Sequence, residues 1–133
     1  IVSIEYIPYQ VRPVSSLRLV KNNTIEYSWK TTNRETINRL FASRQKYDDI
    51  LIVKNDLITD TSICNVAFSD GNRWKTPEKP LLKGTQREYL LRRGTIQEAR
   101  ISTDDISKYK HISLFNAMIG FGEIILPITS INI

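Results

Sequence analysis

The stretch Asp49-Ile50-Leu51-Ile52-Val53 constrains this chain more than any other. A nearly continuous aliphatic, β-branched run is the pattern of a strand covered on both faces, and such a strand requires packed material on each side of its sheet. Lys54-Asn55-Asp56 turns the run into Leu57-Ile58-Thr59-Asp60, so the centre of a sheet is expected here. A chain of 133 residues typically buries roughly 65–70% of its unfolded surface, enough for one real core. With 41% hydrophobic and 25% charged residues, 5 Gly and 5 Pro, it is neither collagenous nor disordered.

The same alternation and turn logic organises the rest. Val2–Ile7 alternates with period two, followed by an extended connection between Pro8 and Pro13. The chain starts at Ile1 in mid-strand, which predicts that residues precede it. Leu17–Val20 and Ile25–Trp29 also alternate, and the Lys21-Asn22-Asn23-Thr24 linker predicts a hairpin between them. The period then changes: Ile37, Leu40, Phe41 and Tyr47 recur at helical spacing, predicting an amphipathic helix over about 34–46. Thr32 or Asn33 would be its N-cap, with Glu35 in the first turn.

Downstream, Asn65–Phe68 and Arg73–Pro77 read as strands joined by a turn at Ser69–Asn72. A loop at Pro80–Gly84 leads to a short helix over about 85–93 that Gly94 ends. Ile96–Ile101 is the next strand; Ser102, three residues before Asp105, caps a short helix to about Lys108, and His111–Phe115 returns as a strand. Strands and short helices mixed with hairpins give an α+β class rather than a doubly wound one.

The chemistry-bearing residues exclude much. One cysteine, Cys64, and one histidine, His111, exclude a disulfide framework and a zinc site of standard ligand count within one chain, and favour a reducing compartment. Cys64 reads as a small buried hydrophobe and His111 as a partly exposed strand residue. No apolar run approaches the ~18 residues of a membrane span, and IVSIEYIPYQ lacks the basic start of a signal peptide, so a cytoplasmic protein without a membrane partner is expected. The net charge of +5 is spread over the chain with no basic run longer than Arg92-Arg93, which argues for a solvated surface and against nucleic acid. No GxGxxG, P-loop or GxSxG motif is present.

What remains is an ordered set of segments: Trp29-Lys30-Thr31-Thr32-Asn33-Arg34, Tyr47–Val53, Leu57–Phe68, Thr76-Pro77 and Leu82-Lys83-Gly84-Thr85-Gln86-Arg87. In that order they resemble the C-terminal domain of the class IV pyridoxal-phosphate (PLP) enzymes, which include branched-chain and D-amino acid aminotransferases and 4-amino-4-deoxychorismate lyases. The resemblance covers roughly residues 16 to 128, and Lys-x-x-Asn-Arg looks closest to the lyase branch.

The resemblance implies a curved, partly closed, mixed or antiparallel sheet flanked by helices. It implies that residues 1–15 are a remnant of a smaller N-terminal domain and its connection, and that 16–133 are the large, PLP-binding domain. Carried over, Lys30 is the Schiff-base and catalytic lysine and Asp60 faces the pyridine nitrogen. Gly84, Thr85 and Gln86 meet the phosphate through close backbone approach and N–H groups, and Asn116 and Ala117 lie at the phosphate and substrate loop. No metal is implied. The implied activity is release of pyruvate from an amino-substituted, chorismate-like acid by a homodimer, with transamination as the alternative and an inactive binding module as the alternative of another class.

These roles suit the residue types. A lysine that attacks a carbonyl needs a lowered pKa, which a desolvated pocket or a nearby cation supplies. A carboxylate that keeps the ring nitrogen protonated makes the cofactor an electron sink. A phosphate dianion is well received at a helix N-terminus.

Overall fold

Strand β2 (Asp49–Lys54) is buried from Asp49 to Val53 in the computed structural model, which describes residues 14–26 and 31–132. Its side chains divide between two cores. Leu51 and Val53 join Leu17, Ile58, Val66 and Phe68 in one cluster, while Ile50 and Ile52 join Ile25, Ile37 and Leu81 in another. That division is the two-faced burial expected of an unbroken aliphatic run.

β2 lies between β1 (Leu17–Lys21), parallel to it, and β3 (Leu57–Ile58), antiparallel to it; β9 (Ile131–Asn132) runs parallel on the far side of β1. β1 is therefore joined to β2 by a crossover through helix α1 (Thr31–Ala42), and the expected hairpin of Leu17–Val20 with Ile25–Trp29 is corrected. Alternation reports that one face of a strand is buried but not which strand lies beside it. The asparagines of the linker are used otherwise: Asn22 Oδ1 accepts the N–H groups of Thr24 and Ile25 (3.1 and 3.0 Å), and Asn23 Oδ1 accepts that of Asn55 (2.8 Å). Tyr27–Lys30 and the strand expected at Val2–Ile7 lie outside the described residues.

α1 begins before the expected 34 and ends at Ala42, after which residues 43–46 form turns. Its first turn carries no acidic residue, because the early start leaves Glu35 one turn in, and Thr32 and Asn33 are both helical rather than caps. Gln45, with φ of 59°, stops any continuation of the helix to 46.

The second sheet has five strands among the described residues. β4 (Asn65–Ser69) and β5 (Trp74–Pro77) form the hairpin expected from the sequence, its turn held by Asp70 Oδ1, which accepts the N–H groups of Asn72 and Arg73 at 2.8 and 2.9 Å. Helix α2 (Thr85–Arg93) carries the chain from β5 to its parallel partner β6 (Ile96–Ala99), and Gly94, at φ 77°, ends α2. β7 (His111–Phe115) pairs antiparallel with β4 and β8 (Ile124–Pro127) antiparallel with β7, so the strand order of this sheet is β6-β5-β4-β7-β8. The strand expected to reach Ile101 stops at Ala99; the Ile101 carbonyl instead accepts the N–H of Ile58 at 2.8 Å. Ser102 and Asp105 form a capping box on a 3₁₀ rather than an α turn at Thr103–Lys108.

The two sheets curl around a shared core, since Leu17 and Leu51 of one pack with Phe68, Ile112, Leu114 and Leu126 of the other. α1 covers the outer face of the first sheet through Ile37, and α2 that of the second through Leu90 against Ala67 and Phe115. The fold is the α+β class read from the sequence pattern, with the curved, mixed sheet that the resemblance implied.

Candidate functional site

Beyond β3 the chain stays beside β2 without forming a regular ladder. Thr59 N–H donates to the Ile52 carbonyl (2.9 Å) and Ile52 N–H to that of Asp60 (2.8 Å), which delivers the Asp60 side chain to the end of the sheet. Asp60 is 5% exposed. Its Oδ1 accepts the N–H of Leu81 at 2.7 Å, and its Oδ2 accepts the N–H of Leu82 and the Nδ2 amide of Asn65, both at 3.2 Å. Burial pushes its pKa up to about 7, against the pull of these hydrogen bonds and of the Arg87 guanidinium.

Asn65, the first residue of β4, also donates to the Leu82 carbonyl at 2.7 Å, so the loop at 81–82 is strapped to the sheet on two sides. Gly84 follows. It has an ordinary φ of −65°, and the requirement for glycine is close approach: a Cβ there would lie 2.5 Å from Asn65 Oδ1. Gly84→Ala is therefore expected to push Asn65 away from Asp60 and to lower stability by about 1–3 kcal/mol, as overpacking does. Thermal unfolding of the variant checks this, and an unchanged midpoint would mean that Asn65 swings aside without cost.

Gly84 caps α2 through its backbone, and the first turn closes when Glu88 N–H donates to the Gly84 carbonyl at 3.1 Å. The N–H groups of Thr85, Gln86 and Arg87 precede that closure and have no partner within the helix by position. The Gln86 side chain turns to a neighbouring loop. Its Nε2 donates to the Asn116 and Ile119 carbonyls, and its Oε1 accepts the N–H of Phe121 at 2.6 Å. Asn116 closes the same turn from within: its Oδ1 accepts the N–H groups of Met118 and Ile119, both at 2.8 Å, and its Nδ2 donates to the Ile63 carbonyl at 3.2 Å. Arg87, 1% exposed, pairs with Glu88 and Glu98 at 2.7 Å each and donates to the Pro77 carbonyl at 3.1 Å.

These elements surround a cavity of about 470 Å³. Of the residues singled out in the sequence, Asp60, Gly84, Thr85, Asn116 and Ala117 all line it. Gln86 does not; its side chain ties the start of α2 to the loop that carries Asn116 and Ala117. Lys30 lies outside the described residues and directly precedes α1, whose Asn33 and Arg34 line the cavity.

Sequence reasoning assigned no role to Arg34, Asn65 or Met118, which also line the cavity. One of them, Arg34, carries a readable signal. It places a cation near the positive end of a helix, where it does nothing for that helix, whereas Asn65 is shown to be buried only by the structure. Cys64 lines the cavity too, yet burial first of all pushes its thiol up to about 12, against the thiolate form that nucleophilic attack requires. His111 is exposed at the start of β7. Among the described residues there is no acidic, His or Cys cluster suited to a metal, and no helix long and apolar enough to cross a membrane.

Comparison with known proteins gives a consistent result. Residues 1–131 match the family model described as Amino-transferase class IV. A Haemophilus influenzae protein of uncharacterized function is 46% identical over 117 residues, 88% of this chain and 62% of its own length. The crystal structure of a candidate 4-amino-4-deoxychorismate lyase from Haemophilus somnus 129PT is 38% identical with a TM-score of 0.78, covering 84% of this chain and 58% of that one. The PLP-bound form of a hypothetical aminotransferase from Mycobacterium tuberculosis shares the fold, with 19% identity and a TM-score of 0.65 over 80% of this chain and 45% of that one. The chain thus spans less than two thirds of the length of these relatives.

Proposed function

Because the chain belongs to the Amino-transferase class IV family, we propose that it forms the cofactor-binding part of a PLP-dependent enzyme that acts on an amino-substituted acid and releases pyruvate. The observation that carries this reading is the meeting, on one cavity, of a buried carboxyl at Asp60 with the open start of α2 at Gly84-Thr85. Those two features fit the two ends of a pyridine cofactor bearing a phosphate.

At one end, three N–H donors occupy the Asp60 carboxyl, one short of its roughly four acceptor positions, so it has room for one more donor. A protonated ring nitrogen brought there would draw the carboxyl back toward its ionised form, because an opposite charge offsets the cost of burial. At the other end, the N–H groups of Thr85 and Gln86 and the positive end of α2 would hold a phosphate dianion. Gln86 has a second duty, holding the Asn116–Ala117 edge of the cavity against that helix start.

When bound, PLP supplies an electron sink for the charge that develops at the substrate Cα. Lys30, just ahead of α1, would take the Cα proton and return it. Asn116 and Ala117 would border the phosphate and substrate. The lyase reaction is placed ahead of amino transfer on two grounds: the Lys-x-x-Asn-Arg spacing at 30–34, and the name carried by the 38% identical relative. A homodimer is the expected assembly.

The test supplies PLP and an amino-substituted, chorismate-like acid and follows pyruvate. Pyruvate release without any keto-acid acceptor is expected. Turnover only when a keto-acid acceptor is added would move the reading to transamination. PLP binding without either reaction would identify an inactive binding module.

A further inference from the structure

Arg34 is the fourth residue of α1, exposed at the cavity that Asp60 also lines. A guanidinium offers five N–H donors in a planar fork. Among the described residues its one hydrogen bond runs from Nη2 to the Ser62 carbonyl at 2.6 Å, and no carboxylate pairs with it. The cation acting on Asp60 is Arg87, so Arg34 does not serve as the counter-charge of the buried carboxyl. Nor does it serve α1, whose positive end disfavours it.

The tether to Ser62 gives the fork a fixed bearing. Ser62 belongs to a tight turn in which Thr61 N–H donates to the Cys64 carbonyl at 3.0 Å and Cys64 N–H to Thr61 Oγ1 at 2.9 Å. An arginine anchored through one nitrogen, with its other donors unspent, is pre-organised for a planar anion, and a carboxylate matches the fork. Beside it, Ile63 and Met118 line the same cavity while 53% and 59% exposed, which provides apolar surface next to the cation.

We propose that Arg34 binds the substrate's carboxylate at the cavity mouth, and that the acid selected carries that carboxylate on an apolar body lying against Ile63 and Met118. The assignment of this ligand as the substrate rests on the PLP reading above, whereas the carboxylate site itself does not.

The test uses 3-phenylpropionate and its neutral amide, 3-phenylpropionamide, titrated calorimetrically into the protein with and without PLP. The acid is expected to bind at least about tenfold more tightly than the amide, the discrimination that a charge-assisted pair supplies. Arg34→Gln is expected to erase that difference while leaving amide binding and PLP affinity unchanged. Arg34→Lys, which keeps the charge and loses the fork, should recover part of it. Acid binding that is equal in wild type and Arg34→Gln overturns the proposal. So does failure of wild type to prefer the acid, or a loss confined to PLP affinity, which would make Arg34 a phosphate ligand. If PLP does not bind but the acid still depends on Arg34, the cofactor reading fails and the carboxylate site stands.

Discussion

Lys30→Ala is expected to lower kcat by about 10⁴-fold or more, since in the proposed reading this one residue both bonds the cofactor and moves the Cα proton. The residue is named by its place in the chain: it stands immediately before α1, and the third and fourth residues after it, Asn33 and Arg34, line the cavity. Borohydride reduction of the PLP-loaded wild type should fix the cofactor on the peptide containing Lys30, read by mass spectrometry. A label on another lysine, or undiminished turnover in the alanine variant, would remove Lys30 from this role.

Asp60→Asn is expected to retain PLP and lose about 10²–10³-fold in kcat, because the proposed phosphate end of the site is untouched while the group proposed to stabilise charge on the ring nitrogen is neutralised. Full turnover in this variant would contradict the role. The same substitution carries a pH signature. The folded carboxyl has a pKa raised from 3.8 to about 7, so between those values the folded protein holds a proton that the unfolded chain releases. Stability from this group is therefore fully present below pH ~4 and declines as pH rises toward ~7, by at most about 1.4 kcal/mol per pH unit. Unfolding midpoints of the cofactor-free wild type should fall across that window, and Asp60→Asn should remove this contribution. Its amide cannot satisfy the N–H groups of both Leu81 and Leu82 as the carboxyl does, so at low pH it should be less stable than wild type by about 1–3 kcal/mol.

The parts of the fold that were legible in the sequence are those determined locally. The aliphatic run at Ile50–Val53, the turn at Ser69–Asn72 and the Ser102–Asp105 capping box each contain their own physical cause, and each appears where expected. The partner of β1 was not legible, because strand pairing is settled by packing between distant segments and period two is the same beside any neighbour. The early start of α1 was missed for a related reason. Propensity near Thr31 and Thr32 is weak, so the sequence pattern alone could not place the boundary.

The site divides the same way. Asp60, Gly84, Thr85, Asn116 and Ala117 were named through an ordered resemblance, and they line one cavity although they are spread over nearly 60 positions of the chain. Gln86 was read for its backbone, and only three-dimensional contacts reveal a side chain bonded to Asn116, Ile119 and Phe121. Asn65 was unreadable as a partner of Asp60, since a polar residue opening a strand is common and its role depends on the loop at 81–82 folding back over it.

In the proposed reading, the cavity bordered by Asp60 and the start of α2 receives PLP. Its most direct test is titration of PLP into the purified protein, followed by visible absorbance. A saturable spectrum distinct from that of the free cofactor is expected, one that borohydride bleaches with one lysine labelled and that inorganic phosphate competes away. A spectrum indistinguishable from free PLP at every protein concentration, with no lysine labelled, would mean that the cavity does not receive the cofactor.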